Sequence, residues 1–266
     1  MRILMCRPDF YGVKYEINPW MKVEHKVNTA KAILQWETLY QNILQCGAKV
    51  DLVPPAPDWP DMVFTANAGL LYHGKIILSR FRYKERQGET PFFEKWFKDH
   101  DFEILNPSVE NPHEPDFEGA GDALFSDGTL FAAYGFRTSQ EFYKQAKYLN
   151  HKQIVYCELT DPYFYHLDTC FCPLNESQAI WYPPAFTSAS QKRMSEHIEL
   201  IAVNQEEAKR FACNAVVLKK QIILPTGCPI ISEVLKSQGF SARHCDMDEY
   251  LKAGGACKCL TLRLDY

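Results

Sequence analysis

The feature that most restricts how this 266-residue chain can fold is a unit that recurs along it. Two strand-like runs joined by a short polar turn occur at Ala68–Ser79, Ala123–Ala132, Thr169–Tyr182 and Ala215–Pro225, and in truncated form at Leu260–Tyr266. The turns fall at His73-Gly74, at Asp127-Gly128, around Asn175-Glu176 and at Lys219-Lys220. Asp-Gly between alternating apolar residues is the strongest hairpin signal of the set. A small polar residue heads each hairpin: Asn67, Asp122, Asp168, Asn214 and Cys259, at intervals of 55, 46, 46 and 45 residues. Such regular intervals point to one supersecondary unit used five times.

Between the hairpins lie helix-like segments at Asn28–Gln45, Pro91–Lys98, Ser139–Leu149, Ser188–His197 and Pro229–Ser237, several of them opening on a cap residue or a first-turn proline. Each is followed by a short strand: Lys49–Val53, Phe102–Leu105, Gln153–Cys157, Glu199–Val203 and Ala242–Cys245. A helix–strand–hairpin unit of this size cannot bury a face alone. Five of them closed into a ring bury all five faces and leave only short sheet edges. The hairpin heads then converge at one end of the axis. The plainer alternative is an α+β domain whose periodicity is accidental.

At 46% hydrophobic, the chain has enough apolar residues for a full core, and nothing in it demands a second domain, so residues 1–266 are expected to form one unit. Net charge is −4 with acids and bases mixed, and no Lys/Arg block marks a nucleic-acid surface. The opening MRILMCRPDF has one apolar run, too short for an export signal, and no stretch approaches the ~18 residues of a membrane span. Ten cysteines without such a signal read as reduced thiols. The expected location is the cytoplasm, with a small molecule as partner, no nucleic acid or membrane, and a homo-oligomer left open.

Three clusters hold groups that could do chemistry. Cys257 and Cys259 follow Gly254-Gly255, which would let backbone approach a ligand closely, and Lys258 favours a thiolate nearby; the plain reading is two small buried hydrophobes. His166 and Asp168 fall on one face if the segment Tyr165–Cys170 is extended, an arrangement suited to proton shuttling; the plain reading is a surface pair. Glu118 and Asp122 flank Gly119-Ala120-Gly121, and paired carboxylates suit a planar cation; the plain reading is a turn with solvated acids. Zinc competes for the pairs Cys170-Phe171-Cys172 and Cys257-Lys258-Cys259, but structural sites use C-x₂₋₄-C spacing, and both pairs are expected within strands. No metal and no cofactor are expected.

E-G-x-G-D at 118–122, H-x-D at 166–168 and G-G-x-x-x-C-L-T at 254–261, in that order, resemble the guanidino-group modifying enzymes of the pentein superfamily. That group includes arginine deiminases, dimethylarginine dimethylaminohydrolases and amidinotransferases. The resemblance spans essentially the whole chain and implies an α/β fold, a five-bladed pentein propeller. It also implies Cys259 as nucleophile, His166 as general acid/base, and Glu118 and Asp168 on the guanidinium. Cys257 stands where relatives carry an aliphatic residue. Arg86 and Arg137 resemble the family arginines that grip the substrate carboxylate, and Asp122 is placed among the substrate-binding residues.

Arginine deiminases carry F-T-R-D where this chain has Phe64-Thr65-Ala66-Asn67, so a carboxylate has become an amide. That segment and Tyr15–Met21 instead look like the arginine dihydrolases, which release ornithine, carbon dioxide and two ammonia. Asn67, assisted by Asn18, would then face the neutral urea of a citrulline intermediate, where a second carboxylate would be left poorly paired. The remaining alternatives are a single-round hydrolase of arginine or methylarginine, an amidinotransferase, and a non-catalytic metal-binding propeller.

Overall fold

The computed structural model describes residues 1–105, 114–146, 149 and 153–265. Its strands are β1 (Arg2–Cys6), β2 (Lys49–Val53), β3 (Gly69–Tyr72), β4 (Lys75–Leu78), β5 (Glu103–Ile104), β6 (Ala123–Ser126), β7 (Thr129–Tyr134), β8 (Gln153–Glu158), β9 (Phe171–Pro173), β10 (Gln178–Trp181), β11 (Glu199–Ala202), β12 (Val216–Leu218), β13 (Gln221–Pro225), β14 (Ser241–Cys245) and β15 (Leu262–Arg263). They form five three-stranded sheets, ordered β15-β1-β2, β3-β4-β5, β6-β7-β8, β9-β10-β11 and β12-β13-β14. In each, an antiparallel pair takes on a third, parallel strand, as in Leu71 opposite Ile76 and Ile76 opposite Ile104.

A parallel neighbour requires a crossover, and a helix supplies it in every blade. These helices are Thr29–Gln45, Thr90–Asp99, Gln140–Gln145, Ser188–Ser195 and Pro229–Ser237. In the first, Asn28 caps the N-terminus by accepting from Lys31 N at 3.1 Å. Ala32, Gln35, Trp36, Leu39 and Ile43 form its buried stripe at helical spacing. The expected elements recur within two residues of their ends, except that the helix expected over Ser139–Leu149 stops at Gln145 and the strand expected in Leu260–Tyr266 spans only Leu262–Arg263. The final part of the expected Ser139–Leu149 helix (147 and 148) and Tyr266 lie outside the described residues.

One expectation is corrected. The fifth unit is not truncated: β15 pairs antiparallel with β1, Ile3 opposite Arg263, and β1 pairs parallel with β2. The apolar run at the start of the chain is the central strand of the fifth blade, and Leu4, Met5 and Cys6 in it are fully buried. The blade is built from both ends of the chain.

Apolar side chains from adjacent blades share cores. Phe131 of β7, Phe171 of β9, Ile180 of β10 and Ile222 of β13 belong to one continuous cluster. At one end of the axis the hairpin heads join in a closed circuit of hydrogen bonds. Asn67 Nδ2 donates to Glu118 O (2.9 Å), Leu167 N to Asp122 Oδ1 (3.2 Å), Asn214 Nδ2 to Asp168 O (2.9 Å), Cys259 N to Asn214 Oδ1 (3.1 Å), and Ala66 N to Cys259 O (3.1 Å). Each blade is thereby tied to the next. The opposite end, among the hairpin turns, opens into a basin of about 720 Å³ bordered by Asp127, Asn175 and Lys219. None of the candidate site residues lines that basin. No helix among the described residues is long and apolar enough to cross a membrane.

Candidate active site

Asn18, Asn67, Arg86, Arg137, His166 and Cys259 line one cavity at the head end, enclosing only about 10 Å³. Glu118 and Asp168 stand behind His166 and Cys259. Both carboxylates are fully buried.

The segment around His166 differs from the extended strand expected. Alternating apolar and polar residues read as a strand, but Leu167–Cys170 is a single helical turn. The turn closes because Thr169 N and Thr169 Oγ1 both donate to the His166 carbonyl, at 3.2 and 2.7 Å. It separates the two expected partners. His166 Nε2 lies 2.8 Å from Glu118 Oε2, while the Asp168 oxygens lie 3.5 and 3.6 Å from Cys259 Sγ. The imidazole and the sulfur each have their own carboxylate.

Burial opposes a charge on Glu118, but Arg137, the His166 hydrogen bond and Arg86 together outweigh it and hold the carboxyl well below its ordinary range. Burial lowers His166 to about 4 against the pull of Glu118. The ring is therefore neutral at pH 7, with Nε2–H donating to the carboxylate. Burial raises Asp168 to about 6, opposed by Lys258, Cys259 and Asn214. Burial, then the Asp168 charge, push the Cys259 thiol up. The geometry is that of a thiol donating to Asp168.

The two arginines are held rather than solvated. Arg86 pairs with Glu89 through Nε and Nη2, both at 2.8 Å, and gives Nη1 to Asn67 Oδ1 at 3.0 Å. Arg137 gives Nη1 to Glu118 Oε2 at 3.1 Å and Nη2 to the Ile17 carbonyl at 3.0 Å, its guanidinium between the rings of Tyr83 and Tyr165. Asn18 organises its own loop, accepting from Trp20 N and Met21 N and donating to the Ala253 carbonyl at 3.0 Å.

Two glycines matter by close approach. A Cβ on Gly121 would stand 2.3 Å from Asn67 Nδ2 and 3.4 Å from the His166 ring. One on Gly255 would stand 2.6 Å from the Phe64 ring and 3.3 Å from Cys259 Cβ. The latter glycine makes room for protein side chains, where the sequence pointed to a ligand.

Asp122 does not share a pocket with Glu118. Its Oδ2 accepts from Thr138 Oγ1 at 2.7 Å and its Oδ1 from Leu167 N, which joins two turns beneath the cavity. Cys257 is also outside: its thiol packs fully buried against that of Cys245. The expectation that both C-x-C pairs lie in strands fails too, since Cys170 ends the helical turn and Cys257 and Cys259 lie in turns. Among the described residues, no three His, Cys, Asp or Glu side chains converge as a metal ion requires.

Asp61 was not singled out from the sequence. It lines the cavity and is buried, its Oδ2 accepts from Tyr15 Oη at 2.9 Å, and its Oδ1 has no hydrogen-bond partner. A buried carboxylate oxygen without a partner is costly unless a ligand group meets it. The available signal was one acid within the apolar run Trp59-Pro60-Asp61-Met62-Val63-Phe64.

The family model described as "N,N dimethylarginine dimethylhydrolase, eukaryotic" matches residues 14–265. The bifunctional arginine dihydrolase/ornithine cyclodeaminase ArgZ of Synechocystis sp. is 48% identical over 271 residues, covering 99% of this chain and 38% of ArgZ. The N(G),N(G)-dimethylarginine dimethylaminohydrolase of Mycobacterium tuberculosis is 37% identical over 264 residues, covering 99% of this chain and 85% of that protein. A crystal structure of the N-terminal domain of ArgZ, a cysteine-to-serine mutant bound to substrate, matches with a TM-score of 0.92 at 45% identity, over 99% of this chain and 97% of that one. The chain spans 38% of the length of ArgZ and of the Nostoc relative AgrE. With the propeller and these matches in agreement, the chain belongs to the dimethylarginine dimethylaminohydrolase family of pentein guanidino-modifying enzymes.

Proposed function

We propose that this chain is a cytoplasmic arginine dihydrolase, converting free L-arginine to ornithine, carbon dioxide and two ammonia through Cys259. The observation that carries the reading is the meeting, in one cavity, of a thiol held against a carboxylate with a neutral histidine held against another. The resemblance to the arginine dihydrolase domain of ArgZ supports the choice of substrate.

The arginine guanidinium pairs with Asp168 in place of the thiol, and the Cys259 proton passes to His166, leaving a thiolate beside the new cation. Asp61 Oδ1 takes the α-ammonium, and Arg86 or Arg137 the carboxylate. Sulfur adds to the guanidinium carbon. His166, having received the thiol proton, protonates the departing nitrogen, and ammonia leaves a thiouronium. Water then attacks with His166 as base, giving citrulline and restoring the thiol. In the second round the thiolate attacks the ureido carbon, ammonia leaves, and water releases a carbamate that loses carbon dioxide to give ornithine. Asn67 faces the neutral urea in this round. The narrow cavity requires Arg137 or the Asn18 loop to move when substrate enters.

The family match keeps a second reading in view, single-round hydrolysis of methylated arginine. Product chromatography decides between them. Ornithine with two ammonia per arginine, lost in Cys259→Ser, is the expected result. Citrulline with one ammonia, or turnover of dimethylarginine alone, would overturn the proposal.

A further inference from the structure

Asn214 heads the fourth hairpin, is completely buried, and does not line the cavity. Its Nδ2 donates to Cys259 Sγ at 3.0 Å and to the Asp168 carbonyl at 2.9 Å. Its Oδ1 accepts from Cys259 N at 3.1 Å and Ala256 N at 3.2 Å, and its carbonyl accepts from Lys258 N at 3.1 Å. Two N–H donors on one atom, a carbonyl and a sulfur on the other, leave the amide a single orientation.

We propose that Asn214 is a positioning residue for the proposed reaction: its amide clamps the 256–259 turn and gives the Cys259 sulfur a neutral donor whose bond strengthens as the thiol ionises. The inference rests on Cys259 being the nucleophile. A buried sulfur 3.5 Å from a carboxylate is a poor anion, so something must stabilise the negative charge as it forms. The other titratable neighbours are turned elsewhere. Lys258 Nζ bonds the Thr261 carbonyl at 3.3 Å, Tyr165 Oη bonds the Gly254 carbonyl at 2.8 Å, and His166 Nε2 is committed to Glu118. Among the described residues, the Asn214 amide is the side-chain donor at hydrogen-bond distance from Sγ.

The choice of an amide has a physical reason. A lysine or arginine there would pair with Asp168 and occupy the carboxylate the guanidinium needs. A neutral donor leaves Asp168 free and acts only as charge develops, because hydrogen bonds to an ionised acceptor are about twice as strong as neutral ones. The same group holds the backbone of the sulfur's own turn, so donor and acceptor move together.

The test is the pH dependence of Cys259 alkylation by iodoacetamide, read at that residue by peptide mass spectrometry, in the unsubstituted protein, Asn214→Ala and Asn214→Ser. In the alanine variant the midpoint is expected to rise by about one pH unit, about a tenfold loss of thiolate below it. Serine, whose hydroxyl can donate, restores part of the shift. With arginine as substrate, kcat falls while KM is held. An alanine variant that alkylates at the original midpoint, even with activity lost, would reduce Asn214 to a structural clamp. If neither variant folds, the side-chain amide resonances of Asn214 in the unsubstituted protein provide the measurement. They are expected to titrate with the alkylation midpoint, and resonances that stay fixed while the thiol ionises would overturn the proposal. Neither alkylation nor resonance requires arginine turnover. Turnover by Cys259→Ser would therefore refute the proposed function separately, leaving the amide–sulfur result to be judged on its own.

Discussion

Asn67 keeps two bonds that a carboxylate could not hold together. Its Nδ2 donates to the Glu118 carbonyl and its Oδ1 accepts from Arg86, and each atom retains capacity for one further bond. An aspartate would strengthen the Arg86 pairing but set an oxygen against the Glu118 carbonyl and a charge against a neutral urea. Asn67→Asp is accordingly expected to stall at citrulline, with ornithine falling at least about tenfold, the equivalent of ~1.4 kcal/mol in the second barrier. Unchanged ornithine-to-citrulline ratios by chromatography would remove Asn67 from the second round. In the proposed reaction, Asp168 is expected to set the pH dependence. Burial raises it to about 6, and its protonated form cannot pair with a guanidinium. The ratio kcat/KM, which reports the free enzyme, should therefore rise with pH through about 6 and level off above it. Glu118 is held well below its ordinary value and stays ionised across that range, so it adds no limb. Asp168→Asn, if any activity remains, should lose the limb. A limb that persists belongs to another group.

At the scale of elements, the turns beneath the cavity do what the isolated motifs did not reveal. Asp122 joins the turn at Gly119–Gly121 to the helical turn Leu167–Cys170, and Thr138 Oγ1 accepts from Glu118 N at 3.0 Å while bonding Asp122. Burial raises the Asp122 carboxyl well above its ordinary value, and its two contacts, with the Thr138 hydroxyl and the Leu167 N–H, are ones an isosteric amide can keep, because a hydroxyl accepts as well as donates. Asp122→Asn is expected to leave KM for arginine and the melting temperature nearly unchanged. Asp122→Ala strands Leu167 N and Thr138 and should cost about 1–3 kcal/mol in chemical denaturation. A large KM increase in Asp122→Asn would return the residue to the substrate. The same turns explain which parts of the site were legible in the sequence. Cys259, His166, Glu118 and Asp168 were marked by motif, and all four gather at the cavity. Their pairing was not legible, because H-x-D alternates like a strand and only the Thr169 bonds to the His166 carbonyl make it helical. Asp61 escaped because a lone acid between apolar residues carries no motif. Asn214 had been placed only by its interval, since an amide's contact with a sulfur 45 residues away leaves no local trace.

For the whole molecule, the repeat was legible and its closure was not. Hairpin spacing marks five units because each must satisfy the same local turn and crossover constraints. The strand completing the fifth lies at the far end of the chain, and no local pattern in β1 names β15 as its neighbour. Closure has mechanical consequences. Cys259 sits in the blade built from both chain ends, and its carbonyl accepts from Ala66 N, the bond that links the fifth blade to the first. Removing Arg2–Cys6 deletes a central strand and exposes the faces against Leu4, Met5 and Cys6, fully buried now. Core truncations cost about 2–5 kcal/mol each, so three together exceed or match the ~5–15 kcal/mol by which a domain is stable. That deletion is expected to give no cooperative melt. A circular permutant is the informative contrast, because it breaks covalent continuity while keeping β1. The N-terminal ammonium of Met1 lies 3.4 Å from Asp265, so a short Gly/Ser linker can join the ends, and new ends can open at Lys219-Lys220 between β12 and β13. That turn is exposed and remote from the cavity, in keeping with where chains tolerate cutting. The permutant should melt cooperatively and retain arginine turnover within about tenfold, a barrier change of ~1.4 kcal/mol. If it folds yet loses activity, covalent order rather than closure of the ring positions Cys259.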